Sequence, residues 1–480
     1  MNIQMKRNPV KLGFCPIGKF VFSHEDALHY KALLEVKLKE WGVNYTSIEN
    51  VVKDGIVRRI EDVNPVVRYL KEQSVDGLFL PHCNFGTEHA VGLIARELKV
   101  PVLLWGPRDE EPLPDGTRLR DSLCGLFASS KVLHKLSVPF TYIENCRITD
   151  RALEAGVKNF LRVMSIVKGF YKMRIGQIGQ RIDFFWTTII NESELLERFG
   201  IEVLPLDMVS IIRGVKERAK QEKSRYREEL EVLSKQVKFE GFDDTSALVN
   251  NLALRDEMLR LASEQGISAF AVQSFMSICE ELGCMVEFAL TQVSEAGYPS
   301  ACETDIHGAI SCVLLQRASL ETEPTFLADF TIRHPEDNNG ILLWHCGFPL
   351  SLRKEGSPAC IGSHWILPGI PPGSCHWQLR DGDITVARFD GDRGQYRLAA
   401  GTGHTINGPY TQNSYVWMKV KDWQRWERQL IEGPYIHHTG AVYGQYTSVL
   451  MEACKYIPGL DPEPLGEKME SVQQDFFNKF

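Results

Sequence analysis

Glu303 and Asp305 stand two residues apart in ACETDIHGAIS, after an apolar turn and before an apolar helix, so two carboxylates share one secondary-structure junction. Taken alone, such a string is more often a helix N-terminal cap than a metal site. Glu287 is harder to explain that way. It lies between Val286 and Phe288 in GCMVEFALTQ, an otherwise apolar run where an ionised carboxylate is costly unless it is paired or bound to a cation. The nearby Glu280 and Glu281 read as an exposed turn. Histidines gather in the C-terminal third, at His345, His364, His376, His404, His437 and His438, with no HxxxH or HxH pair among them. Most read as core or loop residues. The adjacent pair in GPYIHHTGAVYG stands before an expected small-residue turn and helix, where one imidazole can face a cleft while the other packs. Carboxylate oxygens with one imidazole suit Mn²⁺, with Mg²⁺ or Co²⁺ also acceptable. A cation that polarises a carbonyl, beside a carboxylate that relays a proton, is the equipment for proton transfer between adjacent sugar carbons.

Three regions must position these groups. The segment 1–165 alternates apolar strands with amphipathic helices: VKLGFC, a helix from about Glu25 to Trp41, NYTSIE, VDGLFL and PVLLW. This rhythm predicts a parallel sheet with helices on both faces. The loops PHCNFGTEH and GPRDEEPLPDG follow its strands and are placed to meet a ligand or to act as plain turns. The segment 166–325 predicts a second α/β unit, in which Gly176 and Gly179 suit a tight strand-to-helix turn and the charged run 214–235 a solvated helix face. From about 326 to 480, short apolar segments divided by Gly, Pro and Asn predict a β-rich, barrel-like domain. The expected fold class is therefore α/β, two parallel-sheet domains followed by a β-rich domain.

Composition bounds the function. A 480-residue chain with 44% hydrophobic and 24% charged residues folds throughout and has ample surface to bury around a rigid cleft. Net charge is −8 with no basic, aromatic-laced tract, which argues against nucleic acid as a partner. The N-terminal stretch has no apolar leader core and no later run approaches twenty apolar residues, so a cytoplasmic protein away from the membrane is expected. The twelve cysteines form no CxxC framework and read as reduced core residues.

Taken together, GCMVEFALTQ, CETDIHGA and HTGAVYG resemble segments of the L-fucose isomerase family, with more distant similarity to L-arabinose isomerases. CNFGTEHA, VPVLLWGPRDE, GQIGQR, LWHCGFP, IGSHWILPG and DGDITVARFDGDRGQYRLAAGTG extend the resemblance over most of the chain. It implies an aldose–ketose isomerase in which Glu287, Asp305 and His438 hold Mn²⁺, while Glu287 and Asp305 also serve as acid and base in forming a cis-enediol. It also implies a homo-oligomer, trimer or hexamer, in which a neighbour's N-terminal domain closes the pocket. The chain departs from typical fucose isomerases by being shorter and by lacking a plain arginine-rich string near Cys15–Lys19, which leaves the sugar open. A deoxy- or C6-modified aldose fits the resemblance. Arg108, Arg333 and Arg388 are unranked candidates for an anionic C6 group.

His345, His364, Trp344 and Trp365 are candidate sugar contacts, since aromatic faces stack on sugar C–H surfaces and imidazoles bond hydroxyls. Gln273, His437, Asn84 and Glu88 complete the expected substrate-binding set, the last two from the CNFGTE loop. Buried aromatic packing and polar-loop chemistry explain the same residues without function. A metal-dependent lyase or epimerase acting on a sugar acid and a non-catalytic sugar-binding protein remain as rivals, and a hydride shift remains as the rival mechanism.

Overall fold

In the computed structural model the described residues are 8–478, apart from 242–243, 275, 346, 367–368 and 370. The first seven residues, part of the stretch read for a leader, lie outside them, as does the Cys346 of LWHCGFP. Two compact units form. One holds Asn8–Lys168, Glu452–Pro458 and the C-terminal segment from Met469; the other holds Gly169–Met451 with Gly459–Lys468.

The first unit is built on a five-stranded parallel sheet in the order Tyr45–Ser47, Leu12–Phe14, Gly77–Pro81, Val102–Trp105, Thr141–Tyr142. Every residue of Gly77–Pro81 and Val102–Trp105 is buried, as a sheet covered on both faces requires. The first helix, His24–Glu40, matches its expected span and is capped by Ser23, whose hydroxyl accepts the Asp26 amide at 3.1 Å. Strand order reverses beside Leu12–Phe14, so the loops after the first and third strands part there and leave a crevice at the carboxyl edge. His82 sits at that edge with Nε2 2.7 Å from Ser129 Oγ and Nδ1 3.1 Å from Leu80 O. Gly86, at φ 139°, passes so close that an added Cβ would lie 2.2 Å from this fixed ring.

The second unit contains three sheets around one continuous core, the smallest made of Ser374–Trp377, Ala359–Gly362 and Lys238–Phe239. A four-stranded parallel sheet runs Ser300–Ala301, Ala269–Val272, Arg174–Ile178, Glu202–Leu206. Gly176 lies within a strand. Gly179 follows that strand at φ 79°, but an irregular stretch separates it from the first helical turn at Trp186–Thr188, so the expected tight strand-to-helix turn does not form. The charged run folds into the helices Met208–Gln221 and Lys223–Leu233, which bury a stripe of Ile211, Ile212, Val215, Ala219, Tyr226 and Leu230.

The second sheet has seven strands in the order Asp383–Asp392, His438–Tyr443, Phe326–Arg333, Gly340–His345, Ser414–Lys419, Gln395–Ile406, Leu460–Pro464. Asp383–Asp392 also pairs along its length with Gln395–Ile406, so six antiparallel strands close into a barrel and Leu460–Pro464 adds in parallel outside the ring. HTGAVYG, expected as a turn and helix, is one of the barrel strands. Its small and β-branched residues, Gly440 and Ala441 between Thr439 and Val442, suit a strand buried on both faces.

The helix Ile306–Ala318 packs against both the parallel sheet and the barrel, and all but one of its thirteen residues are buried. Of the cysteines described, nine are buried and Cys360 is half-buried; Cys124 is exposed, contrary to the core reading. All are free thiols. Among the described residues no helix is long and apolar enough to cross a membrane.

Candidate functional site

Three strands of the four-stranded sheet end close together, at Ile178, Val272 and Ala301, and the carboxyl edge of a parallel sheet is where ligands bind. Past Ala301 the chain turns sharply. Glu303 and Thr304 have φ values of 61° and 56°, two consecutive side-chain-bearing residues in the left-handed region. Each such residue costs about 1–3 kcal/mol and persists only where neighbours over-determine it. Here they do: the Glu303 amide donates to Ser274 Oγ at 3.3 Å, the Thr304 amide to Val272 O at 3.0 Å, and the Thr304 hydroxyl to Gln180 O at 3.2 Å. The turn directs Glu303 to the barrel and leaves Asp305 at the N-cap of Ile306–Ala318, where its Oδ1 accepts the Gly308 amide at 2.9 Å. The capping role expected of such a string is therefore real for Asp305, alongside a second role.

The barrel supplies the facing groups. Asp329 lies directly opposite His438 on one neighbouring strand and Trp344 on the other. His438 Nε2 is 3.1 Å from Glu303 Oε2 and 3.5 Å from Asp329 Oδ1, while its Nδ1 is 2.9 Å from Asp305 Oδ2. The His345 ring stands edge-on to that of His438, centroids 5.8 Å apart, with Nε2 3.7 Å from Asp329 Oδ1. One potential ligand atom from each of Glu303, His345 and His438 falls within a 4.8 Å span, and so does one from each of Asp329, His437 and His438.

Electrostatics follow from crowding acids in a buried space. Burial opposes a charge on His438, yet Asp305, Glu303 and Asp329 overcome it and push the imidazole up to about 10. Burial, with the charges of Glu303 and Asp305 adding to it, lifts Asp329 to about 7 against the pull of His438. Burial would also raise Asp305 and Glu303, but Arg388 and His438 hold Asp305 far below the carboxylate range, and His438 close beside it holds Glu303 low. Burial lowers His345 to about 4.

The structure thus brings His438 and Asp305 into contact. Glu287 is the first residue of the helix Glu287–Glu295 and is buried. Its Oε2 accepts the Cys375 amide at 3.3 Å and its Oε1 lies 3.5 Å from His364 Nε2. Among the described residues it does not share the ligand-atom groups formed around His438. Gly347 packs beside Glu287, where an added Cβ would stand 3.4 Å from the Glu287 Cβ. Trp344 and Trp365 meet edge to face with centroids 6.3 Å apart, Trp365 half-exposed, and His437 is exposed beside His438. Gln273 follows Val272 at the same sheet edge, and its side chain packs over Gly179.

Asn84 and Glu88 belong to the first unit. Asn84 is a loop tie: its Oδ1 accepts the Lys19 and Phe85 amides at 2.9 and 2.7 Å, and its Nδ2 donates to Ser23 O at 3.1 Å, leaving it buried and spent on backbone. Glu88, 3.8 Å from Lys19 Nζ, lines a cavity of about 450 Å³ with Lys19, Arg58, Arg59 and His89.

Sequence reasoning passed over Asp329, His307 and Asp390. The signal that singled out Glu287, a charge inside an apolar run, is present in FLADFTI and ITVARFDG as well. Of the unranked arginines, Arg388 is buried and ion-paired, and Arg333 donates to Asn338 O at 2.9 Å.

A model of the fucose/sulfoquinovose isomerase N-terminal domain matches residues 13–171. A sulfoquinovose isomerase of Alkalicoccus urumqiensis is 30% identical over 318 residues, 65% of this chain and 69% of the relative. One from Priestia megaterium (strain ATCC 12872 / QMB1551) is 26% identical over 445 residues, 92% of this chain and 96% of its own. A third, from Clostridium sp. (strain MSTE9), is 24% identical over 357 residues, covering 74% and 76%.

Proposed function

This chain belongs to the fucose/sulfoquinovose isomerase family and is an aldose–ketose isomerase, and from that premise we propose that it converts sulfoquinovose, a C6-sulfonated aldohexose, into its ketose with the help of a divalent cation. The substrate rests on what the relatives are named for; the cation rests on the His438 cluster. His438 Nε2 and Asp329 Oδ1 are buried and lack a partner in hydrogen-bond geometry, although Glu303 and Asp329 crowd the imidazole. Acids packed this closely with imidazole nitrogens fit a hard or borderline cation, Mn²⁺ foremost, with Mg²⁺ and Co²⁺ as alternatives. Glu303, His438, His345 and Asp329 would hold it, and bound there it would draw electron density from the oxygens on C1 and C2.

The remaining chemistry belongs to the side chains. Proton transfer from C2 to C1 through an enediol needs a carboxylate able to accept a proton, and Asp305, held ionised by Arg388 and His438, is poorly suited. Glu287, buried beside His364, takes that role in this reading. Trp344 and Trp365 offer an apolar wall for the sugar's C–H face, and His345, His364, His437 and Gln273 offer polar contacts around it.

A homo-oligomer, trimer or hexamer, completes the proposal. Phe20 and Phe127 are exposed in the first unit, and Phe184, Trp186, Trp365 and Ile366 in the second, apolar side chains that a neighbouring copy would cover. A neighbouring copy's cavity of Lys19, Arg58 and Arg59 would meet the sulfonate.

The test is product analysis in D₂O over a panel of aldoses with and without a C6 sulfonate. A ketose formed from sulfoquinovose, carrying deuterium at C1, supports isomerisation through an enediol. A ketose without deuterium moves the mechanism to a hydride shift, and a cleaved or epimerised product overturns the isomerase reading.

A further inference from the structure

Behind His438 runs a chain of buried charges that neither the cation nor the sugar is needed to explain. Asp305 Oδ2 accepts from His438 Nδ1 and also from Arg388 Nη1. Arg388 is 2% exposed, and its Nε donates to Asp390 Oδ2 at 2.8 Å. Asp390 Oδ1 in turn lies 3.2 Å from His307 Nδ1 and accepts the Gly391 amide at 2.9 Å. Two elements carry most of the chain. Arg388 and Asp390 are two residues apart on a barrel strand and so share a face, while Asp305 and His307 open the helix packed against that strand.

A guanidinium in such a place costs several kcal/mol to desolvate and is stable only if carboxylates meet it; two apolar residues of similar volume would serve packing as well. What an apolar pair would not do is hold Asp305. With Oδ1 fixed by the helix cap and Oδ2 by Arg388, the Asp305 carboxylate cannot rotate, and its remaining acceptor direction is filled by His438 Nδ1–H. An imidazole whose Nδ1–H is so engaged has its ring orientation set and leaves Nε2 as the nitrogen that can meet a cation. Nε2 then faces Glu303 and Asp329.

We propose that Arg388 is a positioning residue of this site: by pinning Asp305 between the helix cap and its own guanidinium, it fixes His438 with Nε2 directed at the Glu303, Asp329 and His345 donors. This inference rests on the divalent-cation reading above. It also removes Arg388 from the candidates for binding an anionic sugar group, since its donors are turned to Asp305 and Asp390. Lysine cannot replace it, because a single ammonium lacks the planar fork that reaches two carboxylates at once.

The experiment is Mn²⁺ binding to metal-stripped full-length protein, followed by calorimetry, with folding checked by circular dichroism and thermal melting. Arg388→Lys should stay folded and bind Mn²⁺ about 10–100-fold more weakly, the usual effect of losing a group that orients a ligating histidine. At saturating Mn²⁺ its kcat should recover most of the way while KM for the sugar stays near the wild-type value. A lower melting temperature with wild-type Mn²⁺ affinity would overturn the proposal and leave Arg388 a packing residue. Should Arg388→Lys fail to fold, Asp390→Asn, isosteric and one step further from His438, should weaken Mn²⁺ in the same direction by a smaller factor; unchanged affinity there overturns the proposal too. Wild-type protein that isomerises sugar yet binds no Mn²⁺, Mg²⁺ or Co²⁺ would sink the cation reading itself, a result visible before any variant is made.

Discussion

Replacing Glu303 or His438 by glutamine keeps size and polarity but removes a charged or imidazole donor from the cluster, and each change should abolish measurable Mn²⁺ binding and lower kcat/KM by about 10³-fold or more. Glu287→Gln separates the two roles. It should leave Mn²⁺ affinity within a few-fold of wild type while kcat falls about 10²–10⁴-fold, the range of a lost general base. If Glu287→Gln instead loses the metal and keeps the kcat of its loaded fraction, Glu287 is a ligand and the division of labour proposed here is wrong. At this scale the sequence was partly legible. Glu287 is conspicuous because Val286 and Phe288 flank it, and Asp305 and His438 because their strings resemble a family. Spacing alone could not say which carboxylate of the CETD string faces the imidazole from the Nε2 side. That depends on two left-handed residues, Glu303 and Thr304, which neither glycine nor asparagine announces.

Elements were legible where periodicity is local and poorly so where pairing is distant. The alternating strands and helices of the first unit and the charged helices around 214–235 follow directly from pattern. Closure of the barrel depends on Asp383–Asp392 pairing with Gln395–Ile406 on one side and His438–Tyr443 on the other, and no local signal carries that register. HTGAVYG read as a turn because Gly440 and Ala441 are small; Gly440 is small because a Cβ added there would stand only 3.0–3.2 Å from Leu315 and Cys312 of the buried helix.

The carboxyl edge of the first sheet carries two predictions at this scale. Gly86→Ala would drive a methyl into the His82 ring, which Leu80 and Ser129 hold in place, and should cost about 2 kcal/mol or more in chemical unfolding. His82 itself should set an acid limit. Burial holds it down at about 4 against the Leu80 hydrogen bond, below the unfolded value near 6.5. The folded state therefore binds fewer protons than the unfolded chain. The contribution is complete above about pH 6.5 and is lost as pH falls towards 4, on the order of 3 kcal/mol in all. Stability curves of wild type and His82→Asn should converge over that window; parallel curves would show that His82 is not the titrating group.

On the scale of the whole molecule, the proposed recognition of the sulfonate lies outside the cation site. Arg59→Ala should raise KM for sulfoquinovose about tenfold and leave an unsulfonated aldose unaffected, whereas Phe127→Ser should shift the protein to smaller species in ultracentrifugation and lower activity with dilution. Equal losses on both sugars for Arg59→Ala would place the sulfonate elsewhere. The most direct measurement is ketose formation from sulfoquinovose by metal-stripped protein as Mn²⁺ is titrated back. The account predicts no turnover in the stripped protein, full recovery with Mn²⁺, and no recovery in Glu303→Gln at any concentration. Undiminished turnover without metal, or no ketose from sulfoquinovose with Mn²⁺ at saturation, would contradict it.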